Sequence, residues 1–129
     1  MKHNVKITGI ELSPALAQHI ESAVWRIGRF ADKNDEGAMA QIEIGRISDH
    51  HRSGAIYKAE FTVRLSHLNS LHAGENDFDI FTAVNLARKE IVRQIKTARK
   101  KQKTMEKRGG RRLKDALRGL DFRRFRRRR

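Results

Sequence analysis

Arg88, Lys89, Arg93, Lys96, Arg99, Lys100, Lys101 and Lys103 crowd one stretch of the chain, and Glu90 and Glu106 are its only acids before Gly109. Guanidinium and ammonium groups make or break no bonds at such spacing, but they hold phosphate oxygens through charge-assisted hydrogen bonds. A solvated helix face is the ordinary reading of a charge run. Here acids are too few for i,i+4 pairing to balance the surplus, so phosphate binding is the better expectation. Arg26 and Arg29 offer the same chemistry earlier in the chain. Past Gly109-Gly110 the tail repeats it with Arg111, Arg112, Arg123 and Arg124. Phe122 and Phe125 stand among those arginines, and such rings can stack on unpaired bases; a solubilising tail is the alternative reading.

Other chemistry is poorly provided for. Asp49-His50-His51 is the one tight cluster that suggests a metal or a general base, but no further His stands at ligand spacing and Cys is absent. His3 and His19 are isolated, His67 and His72 flank a turn, and no Ser sits in a nucleophile context. Gly109-Gly110 lacks the preceding strand and the spacing of a phosphate loop. The expectation is a binding protein without catalytic residues, metal, cofactor or small-molecule substrate.

Composition agrees. The 129 residues carry a formal charge of +14, which draws the chain toward a polyanion. Residues 1 to 87 hold 9 Lys/Arg against 11 Asp/Glu, a net of −2, whereas residues 88 to 129 hold 20 against 4, a net of +16. The whole surplus therefore lies in the last third. Absence of Cys fits a reducing compartment. No stretch reaches the roughly 18 apolar residues of a membrane span, and no long apolar run opens the chain. A soluble cytoplasmic protein with no membrane partner is expected.

The elements that position these charges follow from periodicity. Val5 and Ile7 alternate with Lys6 in a first strand, His3 to Ile10. Ser13-Pro14 predicts a helix start, and Leu16, Ile20, Ala23, Val24, Ile27 and Phe30 give a stripe that runs to about Phe30 or Ala31. Asp32 to Gly37 is turn chemistry. Ala40, Ile42 and Ile44 then alternate with polar residues, a polar loop spans Ser48 to Gly54, and Tyr57 to Leu65 is the clearest strand. A short fourth strand is expected around Leu71 and Ala73, completing a meander of three antiparallel strands. Asp77 or Asp79 caps a second helix with Ile80, Val84, Ala87, Ile91, Ile95 and Ala98 on its apolar stripe, running to about residue 103. The tail is expected to be flexible until bound. The fold class is α+β: a β-α-β-β-β-α two-layer sandwich with both helices on one face of a four-stranded sheet. Residues 1–103 form the domain and residues 104–129 a basic tail.

Leu12-Ser13-Pro14-Ala15-Leu16, Asp79-Ile80-Phe81-Thr82-Ala83-Val84-Asn85 and Ile91-Val92-Arg93-Gln94-Ile95-Lys96 resemble the ribosome hibernation promoting factors, including the short ribosome-associated inhibitor proteins, over residues 3 to 103. The resemblance implies the same β-α-β-β-β-α fold, similar to a double-stranded-RNA-binding domain. It implies binding to the decoding channel of the small ribosomal subunit and its rRNA, in 30S subunits or 70S ribosomes, and silencing of translation in starvation by occupancy. Arg26, Arg29, Arg93 and Lys101 match basic positions of the family. Glu90 departs from it, at a position that is often basic. No second domain like that of long-form factors follows, so no long-form dimerisation is expected, and the arginine tail is unlike the usual short form. The alternative class is a structural ribosomal or general RNA-packaging protein.

Overall fold

Helix α1 (Pro14–Gly28) begins where its cap predicts. The Ser13 hydroxyl accepts a hydrogen bond from the Leu16 N–H at 3.1 Å, and Pro14 sits in the first turn, where no N–H is needed. Leu16, Ile20, Ala23, Val24 and Ile27 are its buried residues, the stripe that spacings of three and four define. The helix stops at Gly28, short of the expected end, because the Phe30 and Ala31 N–H groups turn back to the Ile27 and Gly28 carbonyls in a tighter closing turn. The computed structural model describes residues 1–31, 34–47 and 55–128, with side chains described through residue 116.

Strand β1 (Lys2–Thr8) precedes α1 and pairs in parallel with β2 (Met39–Ile47), so α1 is the crossover that a parallel pair requires. Strands β3 (Ile56–Arg64) and β4 (Leu71–Asp77) continue as an antiparallel meander, giving the order β1-β2-β3-β4. Register sets Ala40 opposite Val63, Ile42 opposite Phe61 and Ile44 opposite Ala59, with Ala73 on the far side of Phe61. All of these are buried. Their alternate neighbours, Gln41, Glu43, Lys58, Thr62 and His72, belong to the opposite face. Strand β4 is longer than the alternation indicates: Gly74 to Asp77 carries no apolar signal, yet β3 still offers it a ladder as far as Tyr57 opposite Asp77.

Helix α2 (Ile80–Arg128) is capped by Asp79, whose carboxylate accepts hydrogen bonds from the Thr82 N–H at 3.2 Å and the Thr82 hydroxyl at 2.8 Å. Asp77 braces that cap by accepting from the Asp79 N–H. Ala83, Val84, Ala87, Ile91 and Ile95 enter the same core as Phe61 and the α1 stripe. The expected end near residue 103 is not where the helix stops, since its backbone continues through Gly109-Gly110 to Arg128. Each glycine costs a helix about 1 kcal/mol, but Arg, Lys, Leu and Ala around them are good helix formers. Met1–Lys96 and Thr97–Arg129 are two compact units, and the first holds the entire core.

Replacing Ile91, fully buried, by Ala should lower the unfolding free energy by about 2–5 kcal/mol. Loss of the Asp79 cap in Asp79→Ala should cost only about 1 kcal/mol. Urea denaturation followed by circular dichroism measures both.

Candidate nucleic-acid interface

One apolar sheet face has to be covered by two helices, and within the first unit they meet side by side. The His19 ring of α1 lies edge-on to Phe81 of α2 with centroids 5.1 Å apart, and its Nε2–H donates to the Phe81 carbonyl at 3.2 Å. Farther along the pair, the Lys96 ammonium stands 5.7 Å from the centre of the Phe30 ring. These contacts make neighbours of the outward sides of α1 and α2.

Arg26 of α1 and Arg88 of α2 lie near enough for the charge of one to bear on the other. Arg88 is half-buried, and burial, followed by the like charge of Arg26, pushes its pKa below the ordinary arginine value. Arginine remains cationic throughout the physiological range even so. Among the described residues neither guanidinium has an acid within salt-bridge distance. Two cations held close without a counter-charge are stabilised by an anion placed between them, and a phosphate offers the oxygens both can donate to. Arg29, exposed, lies with its guanidinium 5.2 Å from the centre of the Trp25 ring, itself 65% exposed. Lys89 and Lys96 are exposed on α2.

Arg93 is placed differently from its basic neighbours. Its Nε and Nη2 donate to the two Glu90 oxygens at 2.8 and 2.5 Å, a fork-to-carboxylate pair within one helix turn. Gln94 donates to the same carboxylate at 3.2 Å and to the His72 carbonyl of β4 at 2.9 Å. Hydrogen bonds from Arg93 and then Gln94 hold the Glu90 pKa at about 2. The pair is thus neutral as a unit at physiological pH, and Glu90 offsets the charge of Arg93.

Lys100, Lys101, Lys103, Arg111 and Arg112 are exposed and Arg99 is half-buried. Arg123 and Arg124 have helical backbone, but their side chains lie outside the described residues, as do those of Phe122 and Phe125. Asp49-His50-His51 also lies outside them. Among the described residues no group of His, Cys, Asp and Glu is assembled to hold a metal, and no helix is long and apolar enough to cross a membrane.

The far face of the sheet is a control for charge. Lys58 pairs with Glu60, Lys6 lies 3.9 Å from Glu43, and the Thr62 hydroxyl meets His72 Nδ1 at 3.0 Å. Lys6 and Lys58 there have acids at hand, unlike Arg26 and Arg88. Trp25 is the residue of the helical face that sequence reasoning passed over. Its place off the apolar stripe, and Arg29 four residues on, were both visible in the helical spacing.

Fold and surface together define a class: an α+β domain of four strands and two helices that presents on its helical side arginines with, among the described residues, no acid within salt-bridge distance. The family model for the sigma 54 modulation protein / S30EA ribosomal protein matches residues 3–103, and the chain belongs to that family. Over 96 residues it is 26% identical to the ribosome hibernation promotion factor of Bacillus subtilis (strain 168), covering 74% of this chain and 47% of that protein. The chain therefore spans about half the length of that curated relative. Among solved structures, the N-terminal domain of Thermus thermophilus Protein Y superposes with a TM-score of 0.61 at 21% identity, covering 75% of this chain and 98% of that one. A ribosomal subunit interface protein from Coxiella burnetii gives a TM-score of 0.53 at 18% identity, over 74% and 94% of the two chains. The resemblance drawn from the Ser13-Pro14 and Asp79–Asn85 stretches is met, and so is the expected α+β fold.

Because the Glu90 pKa is lowered in the fold, the pairing is intact above the unfolded carboxylate range and is lost as pH falls through about 2. Carboxyl NMR titration should find Glu90 ionised down to that pH, and Arg93→Ala should move its midpoint up toward the ordinary carboxylate range.

Proposed function

We propose that the chain is a ribosome hibernation factor that occupies the decoding channel of the small ribosomal subunit, excludes mRNA and tRNA, and silences translation during starvation in the cytoplasm. Its partners in this reading are the small subunit with its rRNA and the 70S ribosome, with no cofactor, small-molecule substrate or membrane. The reading is supported by the family to which residues 3–103 belong and by the names of its relatives, a hibernation promotion factor and a subunit interface protein. The carrying observation is that the charge of Arg26 on α1 bears on Arg88 of α2, and that among the described residues neither has an acid within salt-bridge distance.

In this mechanism no bond is made or broken, and inhibition is steric. Residues 1–103 form the binding domain, with Arg26, Arg29, Arg88, Lys89 and Lys96 meeting rRNA phosphates from its helical side. Arg93 contributes less than its position suggests while Glu90 holds it. Arg99, Lys100, Lys101 and Lys103, with Arg111, Arg112, Arg123 and Arg124 of the basic tail at 104–129, add sequence-independent affinity. Phosphate contacts of this kind release counterions, so affinity falls as salt rises.

The concentration of basic residues from Thr97 onward favours a second reading, general RNA packaging or a structural ribosomal role. The two differ in when and where the protein binds. The hibernation reading expects sedimentation with 30S or 70S particles from stationary-phase lysate, competition with tRNA and inhibition of translation in vitro. Constant association during growth with no inhibition would favour packaging, and failure to co-sediment at low salt would sink both.

The charge account has its own measurement. In plots of log affinity for 30S subunits against log salt, Arg26→Gln and Arg88→Gln should each flatten the slope by about one phosphate contact, and Glu90→Gln, which releases Arg93, should steepen it by about one. Slopes equal in all three variants and the parent would refute it.

A further inference from the structure

Two aromatic rings of the first unit are left largely open, Trp25 at 65% and Phe78 at 63% exposure. Single exposed apolar side chains are common on soluble proteins, so exposure alone assigns nothing. Their surroundings differ in sign. Phe78 stands between Asp77 and Asp79, whose carboxylates are committed to bracing and capping α2, and that setting repels phosphate. Trp25 has the Arg29 guanidinium 5.2 Å from its ring centre and is followed by Arg26, whose charge bears on Arg88 of α2.

We propose that Trp25, with Arg29 beside it, is a stacking platform for one unpaired nucleobase of RNA, while Arg26 and Arg88 hold the phosphates that flank that base. The proposal rests on the RNA-binding reading above and adds to it a contact with a base, where the other residues meet backbone. Position 25 lies on the side of α1 opposite Leu16, Ile20, Val24 and Ile27, so the core neither needs the ring nor covers it. A flat indole accepts the face of any base, and a guanidinium plane stacks on the same surfaces. Phosphates on both sides of a splayed base need cations within reach, and Arg26 and Arg88, which have no acid within salt-bridge distance among the described residues, are candidates. An apolar protein partner would gain from the ring but would have to desolvate Arg26, Arg29 and Arg88 without compensation, unless it brought acids of its own.

Trp25 is the single tryptophan of the chain, so its fluorescence reports on this site alone. The full chain is titrated with a short oligoadenylate and, separately, with an abasic ribose-phosphate oligomer of the same length, and binding to 30S subunits is measured for Trp25→Ala and Trp25→Phe. Stacking predicts quenching by the oligoadenylate at saturation but not by the abasic oligomer, a loss of about 5-fold or more in 30S affinity for Trp25→Ala, and recovery of most of it in Trp25→Phe. Equal emission changes with both oligomers overturn the proposal. So does unchanged 30S affinity in Trp25→Ala, and in that case the ribosome reading stands. Loss of 30S binding without any oligoadenylate quenching moves the ring onto a protein partner and also overturns it. Quenching in a chain that never joins ribosomes leaves the base site in place and removes the ribosomal target.

Discussion

A sheet with one apolar face is the constraint on which the rest of this molecule depends. Phe61, Ile42, Ile44, Val63 and Ala73 all point the same way, so the cover has to be laid on that side alone. Both helices lie there, and the hydrophobic gain is non-directional enough to be met only when their stripes share the space above Phe61. Side-by-side packing then follows, with His19 against Phe81 as its seam. The outward sides of α1 and α2 become one surface as a by-product of burying their inward sides.

That surface keeps cations without acids, which a structure selected for stability alone would avoid. Like charges at close range and partial burial both raise the free energy of the charged form, as the lowered pKa of Arg88 records. Nearby the same helix does the opposite: Arg93 is matched to Glu90 and Gln94, and the far side of the sheet matches Lys58 to Glu60. Neutralised and unneutralised cations thus occur on one small domain. The difference gives the helical side a preference for phosphate that total charge does not provide, since most of that charge lies from Thr97 onward.

Trp25 belongs to the same logic. A ring that large is ordinarily a core residue, and leaving it outside removes a favourable burial from the fold. Its neighbours are Arg29, over its ring, and Arg26, which among the described residues has no acid within salt-bridge distance, so the open aromatic and the open cations coincide on α1.

Local chemistry was legible in the sequence wherever the cause is local. The Ser13 cap, the Asp79 cap, the 3.6-residue stripes and the two-residue alternation of β2 and β3 each depend on neighbours a few positions away. So the element order and the α+β class could be read without coordinates. Less was legible where partners are distant: β4 extends to Asp77 because β3 supplies a ladder, and α2 continues past Gly109-Gly110 although neither residue favours it. Residue types fixed which groups are cationic, and the tally located the surplus. The Arg93–Glu90 pair, three residues apart on one helix, is likewise encoded in the sequence. Only the tertiary structure decided that the charge of Arg26 bears on Arg88, because which charge meets which across two helices depends on how they share one core, and no spacing along the chain encodes that distance.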